Sequence, residues 1–303
     1  MKISLLQQIP RYAYDEKTSS PDLAFLKEQS ALTLDDTFHM LDEAGKQGSD
    51  LAVTIECVNM SLNWADMRWP YPDVYEGLDG PLVNRFRESA KKWHMHIVAG
   101  LYLTIDGKTY NCAVLIDDIG EIIGVHRKVH LPAGEEYQVT HGDRIEVFET
   151  KLGRIGLQVC WDMQFPETAR IQALLGADLL VLPTWGWENI YGLCRAYENS
   201  VYIAAAMGIS TNDGLPEFCD PSCVVDNMGK IIAAGDRDHA GVITCDVDIH
   251  KEPAPQYGSE HYIQSSSMRK TRFSQRRPQC YSLLSKPTNQ MQLYKRYFDA
   301  DTV

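Results

Sequence analysis

Long apolar runs are missing from this sequence of 303 residues. No stretch approaches the ~20 consecutive apolar residues that a membrane-spanning helix needs. The residues after Met1 read as a strand and not as a secretory signal. No segment rich in glycine, serine or proline divides the chain. We therefore expect a cytoplasmic protein without a membrane partner, with a single domain over residues 1–285.

Positive charge is also scarce. The chain has 29 lysines and arginines against 41 aspartates and glutamates, and its net charge is −12. A protein of this sign repels the phosphates of nucleic acids and of anionic lipids, so neither is an expected partner. The local exception is the basic run Arg269–Arg277. We interpret it as part of a solvated or subunit-contacting C-terminal arm over residues from about 250 to 303.

Cysteines in the paired pattern of a metal site are absent too. The eight cysteines are scattered, and a cytoplasmic protein keeps its thiols reduced. Only Cys219 and Cys223 lie close together, and no second pair accompanies them. His126 and His130 would lie roughly 13 Å apart on one strand, which is too far to share an ion. We predict neither a metal nor an organic cofactor.

The sequence does contain a regular alternation of apolar, strand-like runs and amphipathic, helix-like runs. Strands are predicted at Asp50–Glu56 and Gly153–Cys160, and helices at Thr33–Gln47 and Phe165–Leu175. Helices that cover the faces of buried sheets define an α/β protein. The pattern allows one doubly wound sheet or two sheets packed together, and the similarity of the two halves favours two sheets.

Cys160 ends a predicted strand and precedes a helix that has Pro166 near its start. A turn from strand to helix exposes a side chain and directs free backbone N–H groups towards it. A helix start also lowers the pKa of a thiol. We interpret Cys160 as a candidate nucleophile, with a buried structural cysteine as the alternative.

Two charged residues lie in or at the end of strands that are predicted to be buried. Glu56 closes the strand Asp50–Glu56, where burial would raise the pKa of its carboxyl group and make it a usable base. Strand alternation places Lys128 on one face with His126 and His130. An inward lysine needs an anionic partner, and a transient oxyanion would serve. Each signal alone is also compatible with an ordinary charge at a strand end.

Taken together, these blocks resemble the nitrilase superfamily of carbon–nitrogen hydrolases, from residue 1 to about 285. Asp50–Glu56 resembles the strand that ends in the family's base, with Ile55 where proline is usual. Arg127–Pro132 is similar to the family's lysine motif. The nucleophile motif is matched by Cys160-Trp161-Asp162, then Phe165-Pro166-Glu167 and Arg170. Other similar blocks are Pro183–Trp185, Arg195–Asn199 and Ser222–Asp226.

This resemblance implies a four-layer α-β-β-α sandwich, with two sheets face to face and helices outside. It implies Cys160 as nucleophile, Glu56 as base and Lys128 as oxyanion partner. Glu135 matches a second glutamate that orients the lysine and the substrate, with its neighbour Glu136 as the alternative. The resemblance also implies homodimers or higher homo-oligomers, in which the C-terminal arm reaches over a neighbouring subunit.

The implied reaction is hydrolysis of a small amide or N-carbamoyl compound. Cys160 forms a thioester, an amine or ammonia leaves, and the backbone N–H of Trp161 helps to hold the oxyanion. Asp162 resembles the amidase and carbamoylase branches, because nitrilases usually have glutamate there. Met163-Gln164 stands where many N-carbamoyl amino-acid hydrolases have arginine, which mildly disfavours an α-carboxylate substrate.

Aromatic and apolar residues are the candidates for the substrate pocket. The loop Cys57–Tyr71, which includes Met60, Trp64 and Trp69, is expected to cap it. Trp161, Trp185 and Trp187 complete the predicted substrate-binding set. Packing in the core or at a subunit interface is the alternative for the tryptophans.

Other functions stay open beside this one. The chain could be a nitrilase that prefers nitriles, or a catalytically idle relative that serves as a binding or scaffold protein. It could also be a Cys–His enzyme that uses His126, His130 or His141. The presence of all three catalytic residue types argues against an idle relative.

Overall fold

The computed structural model describes residues 1–11, 23–60, 75–209, 215, 217–252 and 267–286. The chain forms two compact units, Met1–Pro253 and Ala254–Val303. The strands of the first unit are β1 Lys2–Gln7, β2 Leu51–Val53, β3 His96–Ile105, β4 Lys108–Ile116, β5 Ile122–Arg127, β6 Val147–Thr150, β7 Gly153–Leu157, β8 Leu179–Thr184, β9 Tyr202–Met207, β10 Cys223–Val225, β11 Ile231–Ala234 and β12 Gly241–Asp246. Its helices are α1 Leu23–Lys46, α2 Pro81–Trp93, α3 Pro166–Leu174 and α4 Asn189–Asn199.

The strands form two six-stranded sheets of matching design. The first has the order β12-β1-β2-β3-β4-β5 and the second the order β11-β10-β9-β8-β7-β6. In each sheet three central strands run parallel (β1-β2-β3 and β7-β8-β9) and the outer strands are antiparallel. The two-sheet alternative is therefore correct, and the doubly wound single sheet is wrong.

The core lies in two kinds of layer. Between the sheets, fully buried side chains such as Leu5, Val98, Leu157 and Val181 pack together. On the outer face of the first sheet, Leu41, Val83 and Phe86 from α1 and α2 pack against β3 and β4. Helices α3 and α4 contact each other, and α4 also contacts β9 and β10. The chain is thus a four-layer α-β-β-α sandwich, as expected.

Several boundaries differ from the predicted ones, for local reasons. Helix α1 starts ten residues before the predicted Thr33, although its first turn has no acidic residue to stabilise it. The strand predicted over Asp50–Glu56 is shorter and spans only Leu51–Val53. Strand β7 ends at Leu157, before Cys160. The pattern of apolar residues does not indicate where the hydrogen bonds between strands end. In these two strands they end shortly before Glu56 and Cys160.

The second unit contains short helical elements within its described part. Helix α5 spans Met268–Ser274 and begins at Ser267, whose hydroxyl accepts a hydrogen bond from the N–H of Lys270. Two 3₁₀ turns follow, Pro278–Cys280 and Ser282–Ser285. The predicted C-terminal arm therefore contains helical elements in its described part. Its role at a subunit interface stays a prediction.

In the part of the chain that is described, no helix is long and apolar enough to cross a bilayer. Within the same residues, histidine, cysteine and carboxylate side chains form no group of three that could hold a metal ion.

Candidate active site

Cys160 begins a 3₁₀ turn, Cys160–Gln164, two residues after β7. Its φ of +42° lies in the left-handed region that non-glycine residues rarely adopt. The thiol lies at the end of β8, where the Thr184 side chain and the Trp185 backbone hydrogen-bond with it. A Cβ on Gly186 would stand 3.8 Å from the sulfur. Such a strained position is typical of functional sites, and it aims the side chain at the edge where the strands end.

Glu56 is placed at the same edge by a tight turn after β2. The turn passes so close to β3 that a Cβ on Gly100 would stand 2.4 Å from the carbonyl oxygen of Ile55 and 2.8 Å from the Cα of Glu56. Only glycine fits at that position of β3. The N–H of Gly100 donates to the Thr54 hydroxyl at 2.9 Å. The Trp185 indole N–H donates to the backbone oxygen of Glu56 at 2.9 Å and ties the two sheets together beside Cys160.

A buried polar cluster surrounds the Glu56 carboxylate. Lys128 Nζ donates to Glu56 Oε1 at 2.9 Å and to Glu135 Oε2 at 2.7 Å. Asn111 Nδ2 donates to Glu56 Oε1 at 2.8 Å and to Glu135 Oε1 at 2.7 Å. The four residues are at most 3% exposed. Glu136 is exposed and accepts a bond from the N–H of Gly134, so the geometry favours Glu135 over Glu136 as the site glutamate.

Electrostatics couple this cluster to the thiol. Burial alone would lower the pKa of Lys128, but the negative charges around it, Glu56 foremost, raise the pKa well above its ordinary value. Burial raises the pKa of Glu135, against the opposing effect of Lys128. Burial and then the Glu56 charge raise the pKa of the Cys160 thiol to about 12, and Lys128 only partly counters this. The expectation that the helix start would lower this pKa is wrong, because desolvation dominates.

Asp162 joins the Cys160 turn to the segment that carries Lys128. Its fully buried carboxylate accepts bonds from His126 Nε2 at 2.8 Å, His130 Nδ1 at 2.9 Å and the backbone N–H groups of Val129, His130 and Val159. Burial alone would raise the pKa of Asp162, but these bonds hold it well below its ordinary value. Strand β5 ends at Arg127, yet the predicted alternation continues through Lys128, because Lys128 is buried like His126 whereas Arg127 and Val129 are half-buried.

The candidate histidines form hydrogen bonds with groups other than the Cys160 sulfur. His126 and His130 bond to Asp162, and His130 also stacks on Phe165 at 3.8 Å between ring centroids. His141 is exposed and its Nδ1 lies 2.8 Å from the backbone oxygen of Val129. No bond joins any of the three to Cys160 among the described residues. This arrangement disfavours a Cys–His enzyme.

The predicted substrate-binding residues are placed differently from one another. Trp161 is 40% exposed, and Trp185 is half-buried beside Glu56. Trp187 is fully buried, donates from Nε1 to Asn189 and packs edge-on against Tyr191. Met60 is 1% exposed and packs in a small core cluster. For Trp187 the core-packing alternative is therefore the better interpretation, and the role of Met60 in substrate binding stays a prediction.

Other parts of the pocket prediction are not tested by the structure. Residues 61–71 of the predicted capping loop lie outside the described residues, and with them Trp64 and Trp69. The first N–H groups of a helix have no partner within it, and Trp161 is the second residue of the 3₁₀ turn that starts at Cys160. Its N–H therefore has no partner within that turn.

Comparisons with known proteins agree with this fold. The sequence profile of the carbon-nitrogen hydrolase family matches residues 25–252. The chain belongs to the carbon–nitrogen hydrolase family, within the nitrilase superfamily.

Individual members of this family are similar to the chain. The chain is 35% identical over 219 residues to the probable nitrilase C965.09 of Schizosaccharomyces pombe, covering 69% of this chain and 76% of that protein. It is 30% identical over 230 residues to omega-amidase NIT2 of Bos taurus, covering 70% and 81%. Saccharomyces cerevisiae Nit3, a member of branch 10 of the nitrilase superfamily, superposes with a TM-score of 0.66 at 24% identity, over 81% of this chain and 89% of that one.

Proposed function

We propose that this protein hydrolyses a small amide or N-carbamoyl compound, with Cys160 as nucleophile, Glu56 as general base, Lys128 as oxyanion partner and Glu135 as the group that orients Lys128. The observation that carries the proposal is the buried Glu56–Lys128–Glu135 cluster, which is electrostatically coupled to the Cys160 thiol. A relative that cleaves amides, omega-amidase NIT2, supports the substrate class.

The raised pKa of Cys160 makes a base necessary. A thiol with a pKa of about 12 is ionised in only about one molecule in 10⁵ at pH 7. The proton must therefore move to a neighbouring group as sulfur attacks the carbonyl carbon. Only a base close to the sulfur and able to accept a proton can do this.

The hydrogen bonds distinguish the two carboxylates as candidates for that base. Both oxygens of Glu135 are occupied, Oε1 by Asn111 and Oε2 by Lys128. On Glu56, Oε1 takes both the Lys128 and the Asn111 bond, and no bond from the described residues reaches Oε2. Glu56 Oε2 is thus the oxygen free to take the thiol proton and pass it to the leaving nitrogen.

The remaining steps follow from the same groups. Sulfur attack places negative charge on the carbonyl oxygen, which the Lys128 ammonium and the Trp161 N–H stabilise. The carbon–nitrogen bond breaks, the amine leaves with the proton from Glu56, and a thioester remains. Water then attacks the thioester carbon while Glu56 takes one of its protons, the carbon–sulfur bond breaks to release the acid, and Glu56 returns the proton to the Cys160 sulfur.

The experiment that tests this function is a screen for ammonia release across amides, N-carbamoyl compounds and nitriles. We expect turnover of at least one small amide or N-carbamoyl compound. Turnover of nitriles alone would assign the chain to the nitrilases. No turnover of any class, with no acylation of Cys160 by an activated ester, would support the idle relative.

Glu56→Gln should lower the rate by about 10²–10⁴-fold, the usual contribution of a general base. Glutamine can still accept the Lys128 and Asn111 bonds through its amide oxygen, but it presents an amide nitrogen in place of Oε2. Single-turnover acylation measures the effect.

The matched controls for Glu56→Gln are its neighbours in the cluster and on the surface. Glu135→Gln should also slow the reaction, since one of its donors then faces an NH₂ group. Glu136→Gln, which alters an exposed side chain, should not. Acylation of Glu56→Gln within about tenfold of wild type, below the range for a general base, would mean that another group takes the proton.

We also propose a homo-oligomer of at least two subunits. Exposed apolar residues lie on the turn after β7, on α3 and the residue that follows it, and on α4; they are Trp161, Ile171, Leu174, Leu175 and Ile190. Burial of such a group against a second copy removes apolar surface from water. Light scattering at low micromolar concentration should give at least twice the monomer mass of 34.3 kDa. A mass near one monomer would reject the proposal.

A further inference from the structure

Asn111 lies in the middle of β4 and is fully buried. Its backbone oxygen accepts the N–H of Lys128 at 2.8 Å, so β4 holds the lysine segment directly. Its side-chain nitrogen contacts the two carboxylates of Glu56 and Glu135. This orientation of the amide follows from the chemistry, because two carboxylate oxygens can only face the NH₂ group. The amide oxygen is buried and has no hydrogen-bond partner among the described residues.

The charges around Asn111 leave the cluster one positive charge short. Among the described residues, the ionisable groups that face Glu56 and Glu135 are Lys128, Cys57, Tyr102 and Cys160. Burial raises the pKa of Cys57 and of Tyr102 well above their ordinary values, and that of Cys160 to about 12, so all three are neutral near pH 7. One ammonium therefore serves two carboxylates, and the neutral Asn111 amide supplies the two further hydrogen bonds.

We propose that Asn111 is a positioning residue that assigns different roles to the two carboxylates. Its two N–H bonds occupy Oε1 of both glutamates. Together with Lys128 they hold Glu135 fully bonded and leave Glu56 Oε2 as the oxygen that takes the proton. This inference rests on the proposed function, since it concerns the base of that reaction. No contact of Asn111 with the substrate is required.

The inference predicts a displaced pH profile, which loss of packing would not produce. Hydrogen bonds to a carboxylate favour its charged form, and a nearby carboxylate disfavours it. Asn111→Leu removes both bonds. Asn111→Asp, which is isosteric, adds a third carboxylic group. In both variants a proton binds more tightly to the Glu56–Glu135 pair, so the acid limb of the acylation rate should move to higher pH by about one unit.

The measurement is the single-turnover burst of p-nitrophenol from p-nitrophenyl acetate, over a range of pH and per folded enzyme, with Cys160→Ala as the background. The matched control is Gln172→Leu. Gln172 is also a fully buried amide, but all its partners are neutral groups. They are the side-chain amide of Gln158 and the backbone oxygens of Leu157 and Glu146. This variant should lower Tm and leave the position of the acid limb unchanged.

The outcomes separate the inference from the function beneath it. If Glu56→Gln acylates as fast as wild type, the proposed base is wrong. If Glu56 is required and the Asn111 variants keep the wild-type acid limb, the inference alone is overturned. Loss of folded protein in both Asn111 variants, while Gln172→Leu folds, would assign Asn111 a purely structural role and also overturn it. A displaced limb in the Asn111 variants only supports the inference.

Discussion

Cys160→Ala is expected to abolish acylation, a loss on the order of 10⁶-fold, which is the size seen when a hydrolase loses its nucleophile. Alanine keeps the Cβ and removes only the sulfur, whose bonds are with the Thr184 side chain and the Trp185 backbone. The turn itself is held by the buried Asp162 carboxylate and not by the thiol. The thermal midpoint should therefore change little. Single-turnover burst amplitude and a melting curve on the same preparation measure both.

The other cysteines provide the controls for this variant. Cys194 is exposed and Cys245 is half-buried, and neither belongs to the cluster. Their alanine variants should keep most of the activity. Iodoacetamide will also label the exposed Cys194 and Cys280, so peptide mapping must follow inactivation in time. Inactivation that tracks labelling of any cysteine other than Cys160 would remove Cys160 from the role of nucleophile.

The main outline of the fold was predictable from the chain because apolar runs repeat in two similar halves. Buried parallel strands are continuous apolar runs, and each half contains the same succession of strands and helices. The ends of β2 and β7 were not predictable, because the residues directly before Glu56 and Cys160, Ile55 and Val159, are still apolar. The structure shows that backbone pairing, and not hydrophobicity, stops there.

The charged members of the cluster carry a clear signal in the sequence, whereas that of Asn111 is weak. Glu56 and Lys128 stand out as charges beside apolar strands. Asn111 lies inside a run otherwise suited to a buried strand, and a buried amide is costly without partners. That cost was a usable sign that polar partners lie opposite it. Their identity was not readable, because Glu56 and Glu135 lie 55 and 24 residues away along the chain.

Two other properties of the site depend on tertiary contacts that local pattern does not encode. The motif around Cys160 suggests an acidified thiol, but burial and the distant Glu56 raise its pKa instead. Trp187 and Met60 have the composition of a pocket wall, and the structure buries both. Apolar residues near a site and apolar residues in the core have the same appearance in a sequence.

Lys128→Ala is expected to slow acylation of an amide by about 10²–10³-fold or more, the usual loss of an oxyanion donor. The ammonium lies between two buried carboxylates, 2.9 Å from Glu56 and 2.7 Å from Glu135. A positive charge in such a water-poor site stabilises a developing oxyanion far more than it would in water. Lys128→Arg should also fail, since a planar guanidinium cannot replace a compact ammonium in this space.

Lys128→Ala should also destabilise the fold, because it leaves two buried carboxylates with no counter-charge. Removal of one partner from a buried ion pair typically costs about 3–5 kcal/mol. Lys128→Met combined with Glu135→Gln returns the cluster to its original net charge. We expect this double variant to recover much of the urea midpoint lost in Lys128→Met, and to acylate far more slowly than Glu135→Gln alone.

These variants separate the chemical role of Lys128 from its structural one, and they also test the Cys–His alternative. His126→Ala and His130→Ala remove bonds to Asp162 and should lower stability more than the acylation rate of the folded enzyme. The measurements are urea unfolding and single-turnover acylation with one amide found by the screen. If the stabilised double variant acylates as fast as Glu135→Gln, Lys128 is not the oxyanion partner. If Lys128→Ala also reacts at the wild-type rate while a histidine variant is inactive, a histidine is the base for the Cys160 thiol. The Glu56–Lys128–Cys160 mechanism is then wrong.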